Sequence, residues 1–192
     1  MNLAVDILNN LLPVIYGITV CGYAYAFFAD STLARNYQTL LLSSTLILHF
    51  VYILLRTLLF GHPPITTTFE IMSIIAFSIA ATYRLIEHRT GVKNTGLFIL
   101  ILSFFFQLSS SIFIQDLLEV RPILRSNLLG IHVTSAMLGF SAFAIAAMYG
   151  LLYLMLYHNL KSSHFGIIYE RLPNLENLER MASNAIVSGF AL

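Results

Sequence analysis

Residues 128–157 read LLGIHVTSAMLGFSAFAIAAMYGLLYLMLY, without a single Asp, Glu, Lys or Arg. A helix needs about 20 consecutive apolar residues to cross the hydrocarbon core of a bilayer, and this run is long enough. Strands of a membrane barrel are about ten residues long and alternate in polarity, a pattern that this run lacks. The stretch therefore predicts a membrane-spanning α-helix that carries His132 close to its start.

The rest of the chain repeats this pattern. Hydrophobic residues make up 58% of the sequence, charged residues 10%, and the mean hydropathy is +0.81. Four further apolar runs cover about 9–29, 38–60, 66–86 and 95–114. These values predict an all-α fold, a polytopic membrane helix bundle that forms one integral-membrane domain over residues 1–192.

A sixth apolar run begins at Met181 and reaches Leu192, which is too short to cross a membrane. We interpret it as the start of a sixth helix in a chain that is incomplete at its C-terminus. The prediction is thus five full spans and part of a sixth.

The basic residues predict the orientation, because Lys and Arg in short loops favour the cytoplasmic side. One side carries seven of them: Arg35, Arg84, Arg89, Lys93, Lys161, Arg171 and Arg180. The other side carries Arg121 and Arg125, with Arg56 near the end of span two. The N-terminus is therefore predicted to face outward. A net charge of +1 indicates no nucleic-acid partner, and the lone Cys21 excludes a Cys-x-x-Cys-His haem attachment site.

A polar stripe runs along span two. Thr45, His49, Tyr52 and Arg56 recur at helical spacing and share one face, which must point at protein or water because lipid would leave their donors unpaired. His49 lies near the predicted bilayer midplane. Within this stripe, His49 can be hydrogen-bonded to Tyr52 or Arg56. Glu70, at the outer start of span three, is expected to hold a cation or an arginine.

Span five has a face of small residues. His132, Ala136, Gly139, Phe143, Ala146 and Gly150 occupy successive positions on it. Small residues let helices approach closely, so this face is predicted to point into the bundle and to carry His132 with it, about one turn below the outer surface. Such a histidine can be a haem ligand, a proton relay or a structural side chain. If haem is bound, Arg121 and Arg125 are placed to meet its propionates.

Several motifs resemble one family. Leu129-Gly-Ile-His-Val-Thr-Ser-Ala-Met-Leu-Gly-Phe is similar to the His-Val helix of the haem-handling cytochrome c assembly family, with Phe140 in place of the usual tyrosine. Gly61-His-Pro-Pro, followed by Phe69-Glu70, resembles the family's outer loop. His49 and Arg56 match the preceding helix, and Leu172-Pro-Asn-Leu-Glu and Ser188-Gly-Phe resemble the inner connector and the next helix. The likeness covers about residues 38–192.

This resemblance implies a membrane protein that holds haem b and presents it at the outer face for attachment to apocytochrome c. It implies that His132 is an axial ligand of the haem iron, that His49 is a further candidate ligand, and that Arg121, Arg125 and His62 contact the cofactor. The expected partners are haem, other cytochrome c assembly membrane proteins, apocytochrome c and the lipid bilayer. The expected location is a bacterial plasma membrane or its organellar equivalent.

The sequence contains no arrangement of a catalytic acid, base or nucleophile, so we expect a haem carrier or a non-catalytic synthase subunit rather than an enzyme. One departure from the family is the absence of any tryptophan, because the family has a tryptophan-rich outer loop. Two other functions stay open: a haem-responsive membrane regulator of tetrapyrrole synthesis, and a small-solute or ion transporter. A transporter would be expected to show broken helices and paired half-repeats.

Overall fold

The structure is a computed structural model, and it describes residues 3–29, 32–114, 126–163 and 166–191. Those ranges fold into helices only. The elements are α1 (Leu3–Ala29), α2 (Thr32–Phe60), α3 (Thr68–Thr90), α4 (Gly96–Phe113), α5 (Asn127–Lys161), α6 (Ile167–Arg171) and α7 (Leu175–Ala191).

Helices α1 to α5 are each long and apolar enough to cross a membrane. The predicted all-α polytopic bundle with five spans is therefore confirmed. α1, α2, α3 and α5 run beyond the predicted apolar limits at one end or both because polar residues continue them, whereas α4 lies within its predicted limits. The end of the bundle that carries Glu70 and His132 is called the outer end, in accordance with the predicted orientation. The orientation itself stays a prediction.

Two short connections are fixed by local chemistry. α3 begins with a capping box, in which the Thr67 side chain accepts from the backbone N–H of Glu70 and the Glu70 side chain accepts from that of Thr67. It ends at Gly91, whose φ of 68° is accessible to glycine without strain. Gly61 has a φ of 66° and ends α2 in the same way, with its N–H bonded to the carbonyl of Thr57.

The bundle consists of a core and an outer layer. α1 packs against α2 and α4, and α3 packs against α4 and α5. α7 lies along α5, outside the first four helices. The core contains large aromatic side chains with hydroxyl groups, among them the fully buried Tyr16, Tyr23, Tyr52, Tyr83 and Tyr149. The hydroxyls of the first four form hydrogen bonds, so this core is held by hydrogen bonds as well as by apolar contacts. The hydroxyl of Tyr149 has no hydrogen-bond partner among the described residues.

The segment after α5 differs from the prediction. The sixth helix was predicted to begin with the apolar run at Met181, whereas α7 begins at Leu175 and is continuous to Ala191. Asn174 caps it, because its side-chain oxygen accepts from the N–H of Asn177 at 2.9 Å.

Candidate functional site

His49 is completely buried, and both of its ring nitrogens have partners. Its Nδ1 lies 2.9 Å from the hydroxyl of Tyr16 on α1, and its Nε2 lies 3.0 Å from the hydroxyl of Ser73 on α3. The Ser73 hydroxyl donates to the amide oxygen of Gln107 on α4 at 3.0 Å. Because the Ser73 hydroxyl gives its only proton to Gln107, it must accept a hydrogen bond from His49 Nε2–H. His49 Nδ1 is then unprotonated and accepts from the Tyr16 hydroxyl. The network thus selects the Nε2-protonated tautomer.

The same network continues to the outer half of α1 and α4. The Gln107 amide nitrogen donates to the hydroxyl of Ser111 at 3.0 Å, and Asn9 donates to the Ser111 carbonyl at 3.2 Å. The Tyr52 hydroxyl in turn donates to the side-chain oxygen of Asn9 at 3.3 Å. Side chains from α1, α2, α3 and α4 are therefore joined in one hydrogen-bonded cluster, the His49 cluster.

This geometry favours the hydrogen-bonded interpretation of His49 over the haem-ligand interpretation. An axial bond to iron would require one ring nitrogen to lose its hydrogen bond to Tyr16 or to Ser73, and either bond would be lost inside the buried core. The partners differ from those expected, because Tyr52 contacts the His49 ring with 6.1 Å between centroids, while Arg56 is paired elsewhere. Helical periodicity identified the face of His49, but it could not identify the neighbouring helices.

Arg56 and Glu70 form a buried ion pair at the outer end of the core. Arg56 Nε and one terminal nitrogen lie 3.0 and 2.9 Å from the same carboxylate oxygen of Glu70. The other oxygen accepts from the backbone and side chain of Thr66 at 2.8 and 2.6 Å and from the Thr67 N–H. The guanidinium also lies over the ring of Phe60, 4.7 Å from its centroid. Glu70 thus holds an arginine, one of its two expected partners.

His62 lies in the outer loop between α2 and α3 and is only 6% exposed. Its Nδ1 lies 3.0 Å from the carbonyl oxygen of Pro63, and its ring lies 6.1 Å from that of Phe60. The loop is held against α5, because a Cβ added at Gly130 would lie 2.8 Å from the ring of Pro63. His62 is thus a packed loop residue rather than a solvated one.

His132 lies on α5 with its side chain exposed. The expectation that it points at other helices is therefore wrong for the residues described. The predicted small-residue face does meet α7 farther down, where a Cβ added at Gly189 would lie 3.1 Å from the carbonyl oxygen of Gly139. His132 is seven residues, or about 10 Å, beyond Gly139. His132 therefore lies nearer the outer end of the bundle than the last described residue of α7. None of the described residues forms a hydrogen bond with the His132 ring.

A groove of about 500 Å³ opens at the outer end of the bundle, where Ile131 lines it and the neighbouring His132 does not. α5 forms one wall, and α2, α3 and the outer loop form the others. The lining residues are Phe50, Ile53, Thr57, Pro63, Pro64, Ile74, Phe77, Gly130, Ile131, Thr134 and Ser135. The groove is mainly apolar and contains two phenylalanine rings, which suits a flat hydrophobic ligand. It could not be predicted from the sequence, since its walls come from three separate parts of the chain.

Arg121 and Arg125 lie outside the residues that the structure describes. Of the five site residues predicted, His132 lies next to the groove residue Ile131 in the sequence, His62 lies in the loop that contributes Pro63 and Pro64 to the groove, and His49 lies deeper in the polar cluster. Tyr16 and Ser73 were not selected from the sequence as partners of His49. Asn9, Tyr16 and Tyr23 recur at intervals of seven on α1 and therefore share one helix face. That polar spacing was the sequence signal that could have identified Tyr16.

These features define a class: a polytopic membrane helix bundle with a hydrogen-bonded polar core and, at its outer end, an apolar groove and an exposed histidine. The family model described as "Cytochrome C assembly protein" matches residues 5–192, and the chain belongs to this family. The family resemblance inferred from the motifs is thereby confirmed.

Curated relatives carry two different names. Protein HemX of Brevibacillus brevis is 27% identical over 182 residues, covering 88% of this chain and 65% of its own length. Protein HemX of Bacillus subtilis (strain 168) is also 27% identical, with 91% and 64% covered. The cytochrome c biogenesis protein CcsA of Heterosigma akashiwo is 25% identical over 164 residues, with 83% and 49% covered. The chain thus spans about half to two-thirds of these relatives. No solved structure matches it.

Proposed function

We propose that this integral membrane protein of the cytochrome c assembly family binds haem b at its outer end and presents it for attachment to apocytochrome c. His132 is the proposed axial ligand. The observation that carries the proposal is the state of this imidazole: it is exposed at the outer end of α5, directly after Ile131 of the groove, and forms no hydrogen bond with the described residues. An axial ligand needs such an uncommitted ring nitrogen.

The groove residues supply what a porphyrin requires from a protein. Phe50 and Phe77 offer ring faces, and Ile131 and Pro63 exclude water from an apolar surface. Arg121 and Arg125 precede α5 in the sequence and are the proposed partners of the propionates. Bound haem would supply its vinyl groups to the thiols of apocytochrome c, while this chain positions the cofactor. We accordingly propose a haem carrier or a non-catalytic synthase subunit that acts with other membrane assembly proteins.

Among the other residues, His49 is proposed to support the site rather than to bind iron, because its ring is committed on both sides. His62 is proposed to act through the loop, since it helps to hold Pro63 against Gly130. The proposed location is a bacterial plasma membrane or its organellar equivalent.

An absorption spectrum of the detergent-purified full-length protein, with and without dithionite, tests the proposal. We expect a Soret band that is lost in His132→Ala and restored when free imidazole is added to the variant. His158→Ala is the matched control, because it removes an exposed histidine at the opposite end of the same helix. Absence of haem from the full-length protein, or a Soret band that His132→Ala leaves unchanged, would contradict the proposal.

A second candidate is a haem-responsive regulator of tetrapyrrole synthesis. It is kept because the relatives that match over most of this chain include two named protein HemX, a name that does not mention cytochrome c. Deletion of the gene separates the two functions. Delivery predicts loss of mature c-type cytochromes in haem-stained gels, whereas regulation predicts normal c-type cytochromes and altered tetrapyrrole levels.

The transporter alternative is not favoured, since α1 to α5 are unbroken and the charges of Arg56 and Glu70 pair with each other.

A further inference from the structure

A second groove lies at the inner end of the bundle, on the side where α3 and α5 face α7. It has a volume of about 720 Å³, within the range of roughly 300–1,000 Å³ that is typical of small-molecule sites. Leu85 on α3 and Val187 on α7 line it and are 49% and 65% exposed. The groove therefore opens between α3 and α7, on a surface that faces lipid when the spans lie in a membrane.

The walls of this groove are amphiphilic. Leu85, Leu138 and Ala142 form an apolar part, while Arg89 lies at the end of α3 that reaches the inner surface. Asn184 and Ser188 line the α7 wall one turn apart. A ligand that fits these walls has a long apolar portion, hydrogen-bond acceptors beside it and an anionic group at the inner surface.

Three polar side chains of the groove, those of Arg89, Asn184 and Ser188, are available to a ligand, whereas the Thr90 hydroxyl is bonded to the backbone. Within the described ranges, no carboxylate pairs with Arg89, and the side chains of Asn184 and Ser188 form no hydrogen bond. Exposing an amide or a hydroxyl to acyl chains is unfavourable, because hydrocarbon offers no acceptor. A ligand with acceptor oxygens at this depth would satisfy them.

We propose that this groove is a binding site for one anionic phospholipid of the inner leaflet. The phosphate pairs with the Arg89 guanidinium, the ester carbonyls accept from Asn184 and Ser188, and an acyl chain lies against Leu85, Leu138 and Ala142. Charge complementarity favours this ligand, since a single cation at the level of the headgroups selects an anionic lipid over a zwitterionic one. The proposal does not depend on haem binding at the outer end.

Native mass spectrometry of the full-length protein, released from nanodiscs of equal parts phosphatidylglycerol and phosphatidylcholine, tests the site. We expect the wild type to retain one phosphatidylglycerol in preference to phosphatidylcholine. Arg89→Gln should lower that preference about fivefold, the effect of one cation at an anionic lipid surface. The matched control is Arg180→Gln, since Arg180 is an exposed arginine on the same side that hydrogen-bonds to Asn177 and does not line the groove.

A second variant tests the groove itself. Ser188→Phe places a ring in the groove from an exposed position, so the protein should fold and lose the retained lipid while keeping the gel-filtration profile of the wild type. Equal effects of Arg89→Gln and Arg180→Gln would overturn the proposal, because they would indicate a diffuse surface charge. Retention of a tetrapyrrole mass that depends on Arg89, with no lipid mass, would also overturn it.

Discussion

The hydroxyl of Tyr16 and Nδ1 of His49 lie 2.9 Å apart, and both residues are almost completely excluded from the surface. This contact joins α1 to α2 at a depth where no water competes for either group. Because His49 also uses its Nε2, the orientation of its ring is fixed by helices on both sides.

Tyr16→Phe removes one partner of the buried imidazole and should lower the free energy of unfolding by about 1–3 kcal/mol, the cost of leaving a buried polar atom unpaired. Unfolding in mixed micelles with increasing dodecyl sulfate measures the change. Tyr25→Phe is the control, because Tyr25 lies on the same helix and is 60% exposed. Equal stability of the two variants would show that the contact contributes nothing.

The Arg56–Glu70 pair predicts a strong coupling between its two members. Arg56→Gln and Glu70→Gln should each destabilise the protein by about 3–5 kcal/mol, because each leaves a buried charge without its partner. The double variant should lose much less than the sum. A double-mutant cycle on the same unfolding equilibrium measures the coupling, and simple additivity would argue against a direct ion pair.

The contact between α5 and α7 requires a glycine at position 189. A Cβ there would lie 2.8 Å from the Phe143 ring and 3.1 Å from the backbone oxygen of Gly139, so Gly189→Leu should cost about 1–3 kcal/mol of packing energy. Gly150→Leu is the control, since an added Cβ at Gly150 meets nothing within 4 Å.

Cross-linking reports this contact directly. In a Cys21→Ser background, cysteines in place of Phe143 and Phe190, whose rings lie 5.2 Å apart, should be joined by a short bifunctional thiol reagent. Gly189→Leu should reduce the yield because the added Cβ still approaches the Gly139 carbonyl oxygen at 3.1 Å, and Gly150→Leu should leave the yield unchanged. An unaffected yield in both would mean that α7 accommodates the added side chain without moving.

The predicted orientation can be tested with single cysteines at the two ends of α5. Ser126 and Ser162 are both exposed and flank this helix. In intact cells, a membrane-impermeant maleimide should label Ser126→Cys and leave Ser162→Cys unlabelled until the cells are broken. The reverse pattern would place the N-terminus inside.

The spanning helices could be predicted from the sequence because length and apolar composition alone determine whether a segment can cross a bilayer. The polar face of α2 was predictable for a similar reason, since lipid excludes unpaired donors. Its partners were not, because Tyr16 and Ser73 lie on helices whose rotation depends on packing across the whole bundle. His132 was predicted to point at other helices but is exposed, because helical spacing assigns a residue to a face and does not show whether another helix covers that face at its level.

All the side chains in the His49 cluster come from residues 9–111, so no member belongs to α5 or α7. The first four helices can therefore satisfy one another's buried polar groups while the ribosome is still producing the remainder of the chain. Segments synthesised early commonly fold before later ones are available. The helix that carries His132 would then be inserted beside a finished scaffold, so the histidine and its groove are assembled last.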